Sequence, residues 1–513
     1  MAYLRTSQND SALGAIGCGP GCNCGPCRAG KYRLGERYVP EDDDDAMPPP
    51  SIELSGWGAA PSSSPRILFL PGIMGSRLVD RRDSRVLWGD QSMAAWLPSS
   101  REWIARMRQG NGIDSPGNVE PQGLFHMKSL SSNQDLNPYT AALAFWRQHL
   151  GSSNVLTCPY DWRLSNESSA MRLKRVVETA WQDAARDPNR RGTLVAHSMG
   201  GIVARWYIEK LGGHQFVRRL VTVGTPHHGA PKAIQVVSEV GAAPALLGFI
   251  APALFASPMS LFLGPLLSAL RGMVDGFASI YQLMPDFNCL YPSFIARTME
   301  PISATYDRLR NSPALNPILG PPRAGMSLIR GPRSHELRRL NDALLAGESS
   351  LASWLAARHI QYICIAGFAN STTIALRHTT PITISSLVSK CGDGTVPVRS
   401  AALHPSGSVR VLYTATAHEH GTLFWDPNIQ RACLNAAQGS ADITSGLPSA
   451  FLPSHPACAP PHLHVPIVSD LPSAAPILPS VQKGARRASQ VPAEILRESE
   501  RAARALRSRL ENR

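Results

Sequence analysis

The chain lacks several patterns that would assign it to a class at once. Its first residues contain no apolar segment behind a basic one, so they do not match a secretory signal peptide. Its 10 cysteines follow no regular framework, which argues against a disulfide-rich secreted fold. We therefore expect a protein that is cytoplasmic, or one that is exported by a route needing no such signal.

An uninterrupted membrane-spanning run is missing as well. The uncharged segment from Val240 to Leu270 is long enough to cross a bilayer, but prolines and glycines interrupt it repeatedly. Short apolar helices separated by prolines fit a cap over a cleft better than a continuous span. We therefore interpret this segment as part of a cap.

Acidic residues are outnumbered by basic ones. The chain carries 51 Lys and Arg against 38 Asp and Glu, which gives a formal net charge of +13. A basic surface favours anionic partners such as membrane lipid or nucleic acid. No nucleic-acid-binding module is recognisable, so we expect no nucleic acid partner. An ordinary solvated surface and peripheral contact with a membrane are the two interpretations left open.

Composition divides the chain into three regions. Residues 1–60 are rich in Cys, Gly and acidic residues, which predicts a disordered tail. Residues 441–513 begin as a linker rich in Pro, Ser and Ala and end in a basic helix after Pro492. Residues 61–440 are predicted to form one α/β domain.

The N-terminal tail contains four crowded cysteines, namely Cys18, Cys22, Cys24 and Cys27. Their spacing favours reducible thiols over a metal site, which is the alternative.

Six short apolar runs alternate with helical stretches in the central region. Their hydrophobicity is continuous, which is typical of strands covered on both faces in a parallel sheet. The runs are Arg66–Gly72, Asn154–Trp162, Gly192–Ser198, Arg219–Pro226, Ile360–Gly367 and Ser408–Thr416. The interval from about 232 to 358 is too long for one crossover connection, so we predict an inserted, mainly helical cap there.

The sharpest motif is the run AHSMG from Ala196 to Gly200, at the end of the third predicted strand. A strand that meets a serine and then at once a helix is the pattern of a nucleophile elbow. The turn is so tight that the positions two before and two after the serine must be small, as Ala196 and Gly200 are. Ser198 is therefore predicted to be the nucleophile of an α/β-hydrolase fold, with a buried capping serine as the alternative.

A serine hydroxyl needs a base, and the base needs an acid that orients it. In this fold the three follow the order serine, acid, histidine along the chain. Asp393 lies between two glycines downstream of Ser198, and a turn-forming role is its alternative. His418 and His420 both follow the last predicted strand, and either one fits the position of the base.

The negative charge that develops on a substrate oxygen needs preformed N–H donors. In this fold one donor is the amide after the nucleophile, here Met199, and the other lies in the loop after the first strand. Ile73 in the segment PGIMGS is the candidate for the second donor, and a plain glycine turn is the alternative. This chemistry uses no cofactor, and we expect none.

Six motifs in the central region match those of a known family. They are FLPGIMGSRL, PYDWRL, AHSMGG, VGTPHHGAP, YQLMP and GDGTVP. Through them the chain resembles the lecithin:cholesterol acyltransferase and lysosomal phospholipase A2 family, in a bacterial-type form, from about Ile67 to Ala436. The resemblance implies an α/β-hydrolase core, a cap, and an acyl-enzyme formed from a lipid ester.

The resemblance extends to individual site residues. It supports those derived above, namely Ser198, Asp393, Ile73 and Met199. It favours His420 over His418 as the base, because the family's base is followed by a small residue and then a leucine. Asp161 in PYDWRL is a rival carboxylate, but that motif is interpreted as structural. Three further histidines are interpreted as residues of packing or of the pocket edge: His197, His227 and His228.

The expected activity is that of a phospholipase A or an O-acyltransferase. A soluble carboxylesterase or triacylglycerol lipase is the alternative, and a hydrolase-like scaffold without catalysis is a third interpretation. The apolar segment from Val240 to Leu270 would then line an acyl-chain groove or contact lipid, while an ordinary buried cap core explains it equally well.

Overall fold

The computed structural model describes residues 65–90, 100–107, 115–126, 137–238, 277–292, 296, 298–301, 304, 344, 348–378 and 384–440. The chain divides into two units, Met1–Leu54 and Ser55–Arg513, and every described residue lies in the second unit. The four crowded cysteines, the segment from Val240 to Leu270 and the C-terminal linker and helix lie outside the described residues. The predicted domain boundaries and most of the cap therefore stay predictions.

The described residues contain twelve strands and nine α-helices. The strands are β1 Ile67–Leu70, β2 Ser76–Asp80, β3 Arg85–Trp88, β4 Val119–Leu124, β5 Val155–Thr157, β6 Gly192–His197, β7 Val217–Val223, β8 Leu290–Tyr291, β9 Gln361–Phe368, β10 Thr372–His378, β11 Ile384–Ser389 and β12 Val409–Ala415. The helices are α1 Ser100–Met107, α2 Thr140–Leu150, α3 Asn166–Ala180, α4 Met199–Lys210, α5 Pro231–Ser238, α6 Ala278–Tyr281, α7 Glu348–Ala357, α8 Val398–Ala401 and α9 Pro427–Gln438.

Six strands form the central sheet, in the order β12-β9-β7-β6-β1-β5. Every neighbouring pair in this sheet is parallel. All six overlap the six apolar runs, and β1, β6 and nearly all of β9 are buried on both faces, which explains their unbroken apolar sequence. The predicted α/β-hydrolase architecture, a mostly parallel central sheet flanked by helices, is confirmed.

One face of the sheet is covered by α2 and α9. The core between them contains Phe69 of β1, Ile365 of β9 and Trp146 of α2, all of which are buried. The indole of Trp146 donates a hydrogen bond of 2.9 Å to the carbonyl of Gln430 in α9, so the two helices are joined inside the core. Helices α3 and α4 pack against each other elsewhere, and α4 contacts β1, β6 and β7.

Two small sheets flank the central one, and the sequence did not predict them. One consists of β3, β2 and β4 in antiparallel pairs. In the other, β10 pairs with β11 in antiparallel and with β8 in parallel orientation. The loop of Asp393 therefore does not follow β9 directly, because the β10–β11 hairpin lies between them.

Residues 277–292, which belong to the interval predicted as a cap, are hydrogen-bonded to the rest of the domain. The Ser279 hydroxyl donates a hydrogen bond of 2.6 Å to the carbonyl of Trp162. The backbone amide of Ala230 donates to the carbonyl of Leu283 at 2.8 Å. Residues 277–292 thus connect the chain after β7 to the segment after β5. No helix among the described residues combines the length and the apolar character needed to cross a bilayer.

A buried carboxylate joins the first small sheet to α1. Asp80 at the end of β2 is fully buried, and it accepts hydrogen bonds from Arg82 at 2.6 Å and from Arg106 of α1 at 2.9 Å. The side-chain hydrogen bond from Arg82 is the main cause that lowers the pKa of Asp80 from 3.8 to about 2. Asp80 therefore holds α1 against the sheet through its negative charge.

We expect Asp80→Asn to lower the free energy of unfolding at pH 7 by about 1.5–3 kcal/mol, because it removes a charge-assisted hydrogen bond to a buried group. The pKa of Asp80 is depressed in the folded state, so its stabilisation is present above pH 3.8 and is lost as the pH falls towards about 2. Urea unfolding of both proteins from pH 7 to pH 3 measures this difference. Asp90→Asn, at a carboxylate 3.6 Å from Arg77, is the control with a smaller loss. A difference that stays constant with pH contradicts the assignment.

Candidate active site

The site residues predicted from the sequence meet at one edge of the central sheet. Ser198 follows β6, Ile73 lies in the loop after β1, and His420 follows β12. Asp393 is joined to the end of β9 through a bridge to Asn370. Carboxyl ends of parallel strands lie at the same edge, so residues far apart in the sequence share one cleft there.

Ser198 occupies a strained turn between β6 and α4. Its backbone lies at φ 50° and ψ −128°, a conformation that a non-glycine residue rarely adopts. The Ser198 amide donates a hydrogen bond of 3.0 Å to the carbonyl of Val223. This bond ties the turn to β7, and the turn directs the serine side chain away from the sheet towards the neighbouring loops.

His420 connects the serine to the acid. Its Nε2 atom lies 2.8 Å from the Oγ atom of Ser198, and its Nδ1 atom lies 2.8 Å from the Oδ2 atom of Asp393. A carboxylate only accepts hydrogen bonds, so Nδ1 carries the proton and Nε2 is the acceptor for the serine hydroxyl. All three residues are buried. The arrangement can therefore take a proton from Ser198 as its oxygen attacks.

The loop of Asp393 is fixed on the side opposite His420. The Oδ1 atom of Asp393 accepts hydrogen bonds from the amides of Thr395 at 3.1 Å and Val396 at 2.8 Å. Its carbonyl accepts one from the His420 amide at 2.8 Å. The acid and the base are thus joined through both backbone and side chain. This double link fixes the direction in which Asp393 presents Oδ2.

The loop after β1 passes directly over the serine. A Cβ atom added to Gly72 would lie 2.9 Å from the Cβ atom of Ser198, so only glycine permits this approach. Within the described part of the chain, neither the amide of Ile73 nor that of Met199 donates a hydrogen bond to another group. Met199 follows Ser198 directly, and Ile73 follows Gly72, whose backbone approaches the Ser198 side chain.

Three carbonyls of this loop are held by buried aromatic side chains. The Tyr160 hydroxyl donates to Pro71 at 2.9 Å. The Trp88 indole donates to Met74 at 2.9 Å, and the Trp162 indole donates to Ser76 at 3.2 Å. These donors fix the path of residues 71–76, which we call the oxyanion loop. Its geometry is therefore set before any substrate binds.

Two rival residues lie outside this arrangement. His418 is half-buried, and its ring contacts Trp425 instead of Ser198. Asp161 is held by Arg163, whose Nη2 atom lies 2.6 Å from Oδ2. Arg163 in turn donates to the carbonyl of Met107 at 2.7 Å, so the PYDWRL motif joins α1 to the body of the domain.

The three other histidines are buried or half-buried contacts around the site. His227 is buried beside Thr222 and Cys364, and burial holds its pKa well below the usual value. His228 lies 3.1 Å from Asp286, which connects the loop after β7 to residues 277–292. His197 is buried next to His420, with 5.0 Å between their ring centroids.

Two tyrosines at the site were not predicted from the sequence. Tyr139 contacts the oxyanion loop and His197, and it precedes α2 in a segment without a motif. Tyr160 contacts the same loop from the PYDWRL motif, where the resemblance was the only available signal. Among the described residues, no group of His, Cys, Asp and Glu is arranged to hold a metal ion. The cysteines considered for such a role lie outside those residues.

The parallel sheet, the strained serine turn and the Ser198–His420–Asp393 hydrogen bonds define the class as α/β-hydrolase. The family model described as Lecithin:cholesterol acyltransferase matches residues 147–243, which contain β5, the serine turn and β7. The chain is similar to this family over that segment. No curated protein sequence matches it.

Several solved structures are distantly similar to the chain. The Tle4–Tli4 complex matches at 14% identity and a TM-score of 0.45, with 74% of this chain and 98% of that chain covered. Phospholipase PlaB from Legionella pneumophila matches at 12% identity and a TM-score of 0.31, over 74% and 61% of the two chains. Mature lipase BlEst2 from Bacillus licheniformis matches at 13% identity and a TM-score of 0.27, over 71% and 88%.

We expect Gly200→Ala to destabilise the protein, because α4 packs closely against the oxyanion loop at this position. The added Cβ atom would lie 2.5 Å from the carbonyl oxygen of Pro71 and 3.1 Å from that of Leu70. Overpacking against backbone costs about 1–3 kcal/mol, more than the gain of about 0.5–1 kcal/mol from alanine in a helix. We expect a lower free energy of urea unfolding. Gly407→Ala, with no atom within 4 Å of the added Cβ, is the near-neutral control. Equal stability of the two variants would show that the contact is relaxed.

Proposed function

We propose that this protein is a serine hydrolase or acyltransferase that cleaves lipid esters through an acyl-enzyme on Ser198. The observation that carries the proposal is the pair of 2.8 Å hydrogen bonds that joins Ser198 to His420 and His420 to Asp393. A buried serine in a strained turn, with a histidine ring nitrogen 2.8 Å from its oxygen, has the geometry of an activated nucleophile.

The proposed reaction begins when the Ser198 Oγ atom attacks the carbonyl carbon of the ester. The serine proton moves to Nε2 of His420, and Asp393 stabilises the imidazolium that forms. The carbonyl oxygen becomes an oxyanion that accepts hydrogen bonds from the amides of Ile73 and Met199. The bond to the leaving oxygen then breaks, and His420 returns the proton to that oxygen. The products are an alcohol and an ester of Ser198.

The second half of the reaction releases the acyl group. Water or an acceptor alcohol gives its proton to His420 and attacks the carbonyl carbon of the acyl-serine. Collapse of the second tetrahedral intermediate returns the proton to Ser198. A carboxylic acid leaves if water attacks, and a new ester leaves if an alcohol attacks. Hydrolase and acyltransferase therefore share every protein group and differ only in the acceptor.

Lipid as the substrate class is supported by the family match. The matched family is described by acyl transfer from lecithin, and the match contains the serine turn and the strands on either side. The chain adds an uncharged apolar segment from Val240 to Leu270, which suits an acyl-chain groove or a lipid contact. Peripheral contact with a lipid surface is part of the same proposal.

We expect a fluorophosphonate probe to label the wild-type protein covalently and to leave Ser198→Ala unlabelled, because the probe reacts only with an activated serine. Ser169→Ala is the matched control, since Ser169 is buried and its hydroxyl has no hydrogen-bond partner. This control should be labelled at the wild-type rate. Gel fluorescence with equal amounts of folded protein measures all three. A folded wild type that stays unlabelled would overturn the proposed activity.

Lipid specificity predicts faster turnover of phospholipid vesicles than of short water-soluble esters at equal ester concentration. Phosphatidylcholine vesicles and a p-nitrophenyl butyrate solution are suitable probes, with Ser198→Ala as the blank. Lipid analysis of the vesicle products distinguishes a free fatty acid from a new ester on an added alcohol. Preference for the soluble ester would favour a carboxylesterase instead.

A further inference from the structure

A single peptide unit of the oxyanion loop is held at both of its polar ends. The carbonyl of Pro71 accepts a hydrogen bond of 2.9 Å from the Tyr160 hydroxyl. The N–H of Gly72, which belongs to the same planar peptide, donates one of 3.2 Å to the Tyr139 hydroxyl. The plane of this peptide is therefore fixed by two buried side chains. The amide of Ile73 follows in the next peptide unit.

The same tyrosine continues towards the base. The Tyr139 hydroxyl lies 2.9 Å from Nδ1 of His197. Nε2 of His197 lies 2.9 Å from the backbone carbonyl of His420. A carbonyl can only accept, so Nε2 of His197 carries its proton, and Nδ1 accepts the proton of Tyr139. The hydroxyl of Tyr139 is thus both an acceptor from Gly72 and a donor to His197.

Burial supports these proton positions on Tyr139 and His197. Tyr139, Tyr160 and His197 are each at most 4% exposed, so water cannot replace any of these hydrogen bonds. Burial lowers the pKa of His197 well below its usual value and raises the pKa of Tyr139. Each residue therefore stays neutral across the working range of pH. Only one arrangement of protons satisfies every donor and acceptor from the Gly72 amide through Tyr139 and His197 to the His420 carbonyl.

We propose that Tyr160, Tyr139 and His197 form a positioning chain that couples the oxyanion loop to the backbone of the base. The inference rests on the proposed function, because it assigns these residues a task in the same reaction. The oxyanion donors and His420 act on opposite ends of one event, in which negative charge forms on the substrate as a proton leaves Ser198. A continuous set of hydrogen bonds fixes their separation in advance.

The test compares tyrosine-to-phenylalanine variants that each remove one hydroxyl and little volume. Tyr139→Phe and Tyr160→Phe break the positioning chain. Tyr362→Phe removes a buried hydroxyl bonded to Glu209, and Tyr207→Phe removes a buried hydroxyl that has no partner. The two control residues contact neither the oxyanion loop nor the base. They separate loss of a buried hydrogen bond in general from loss of this one.

We expect Tyr139→Phe to lower kcat for a soluble ester about 10- to 100-fold with KM changed less than about twofold, because a displacement near 1 Å can cost about 10²-fold in rate. Tyr160→Phe should show the same split with a smaller loss. Both controls should keep the wild-type kcat. Loss of kcat in Tyr362→Phe equal to that in Tyr139→Phe would assign the effect to stability and overturn the inference.

Two His197 variants each remove one of the two hydrogen bonds that the His197 ring makes, one to Tyr139 and one to the His420 carbonyl. His197→Gln keeps a donor for the His420 carbonyl but loses the acceptor for Tyr139, and His197→Asn does the reverse. Each single variant should lose about as much kcat as Tyr139→Phe. Adding Tyr139→Phe to His197→Gln should then cost less than about twofold more, because the link is already broken. Losses that multiply would show independent residues and contradict a chain.

Fluorophosphonate labelling also distinguishes a failure of this inference from a failure of the proposed function. First-order labelling rates with excess fluorophosphonate, measured at a temperature where unfolding curves show each variant fully folded, report the reactivity of Ser198 without a contribution from lost stability. A folded wild type without labelling at Ser198 overturns the proposed function. Wild-type labelling that depends on Ser198, together with an unchanged rate in Tyr139→Phe, overturns only the positioning chain.

Discussion

The backbone at Ser198 is the constraint on which the rest of the site depends. A non-glycine residue at φ 50° is strained, and the strain is held by the hydrogen bond from the Ser198 amide to Val223 of β7 and by α4 on the other side. The turn brings α4 so close to the end of β1 that positions 72 and 200 have room only for glycine. The same closeness places the oxyanion loop over the serine and His420 beside it. One turn therefore sets how closely the oxyanion loop and the base approach the Ser198 side chain.

The central sheet and the three hydrogen-bonded residues could be foreseen from the sequence. Strands buried on both faces leave unbroken apolar runs, and the carboxyl ends of such strands share an edge. Ser198, Asp393 and His420 lie there in the order that this fold requires. The geometry also separates the two histidines after β12, because Nε2 of His420 faces Ser198 while His418 contacts Trp425.

The small sheets and the tyrosines could not be foreseen, and the reason is physical. β2, β3 and β4 contain charged or polar residues instead of an unbroken apolar run, and β4 carries a proline and a glycine that weaken its strand signal. Tyr139 acts through a hydroxyl that reaches a residue 67 positions away, which no local pattern records. Tyr160 belongs to a motif that was interpreted as structural, and its contact with Pro71 gives that motif a place at the site.

The aromatic donors that hold the oxyanion loop also bear on how the molecule reaches its native state. Trp88 lies in β3, whereas Tyr160 and Trp162 lie in the PYDWRL motif, and the hydroxyl of Tyr160 bonds a carbonyl 89 positions earlier. Contacts of such long sequence separation form late, after the loops between them have closed. The base arrives from the last strand, 222 positions after the serine. A half-folded chain therefore lacks the base beside Ser198, and the hydrogen bond between Ser198 and His420 forms only as folding is completed.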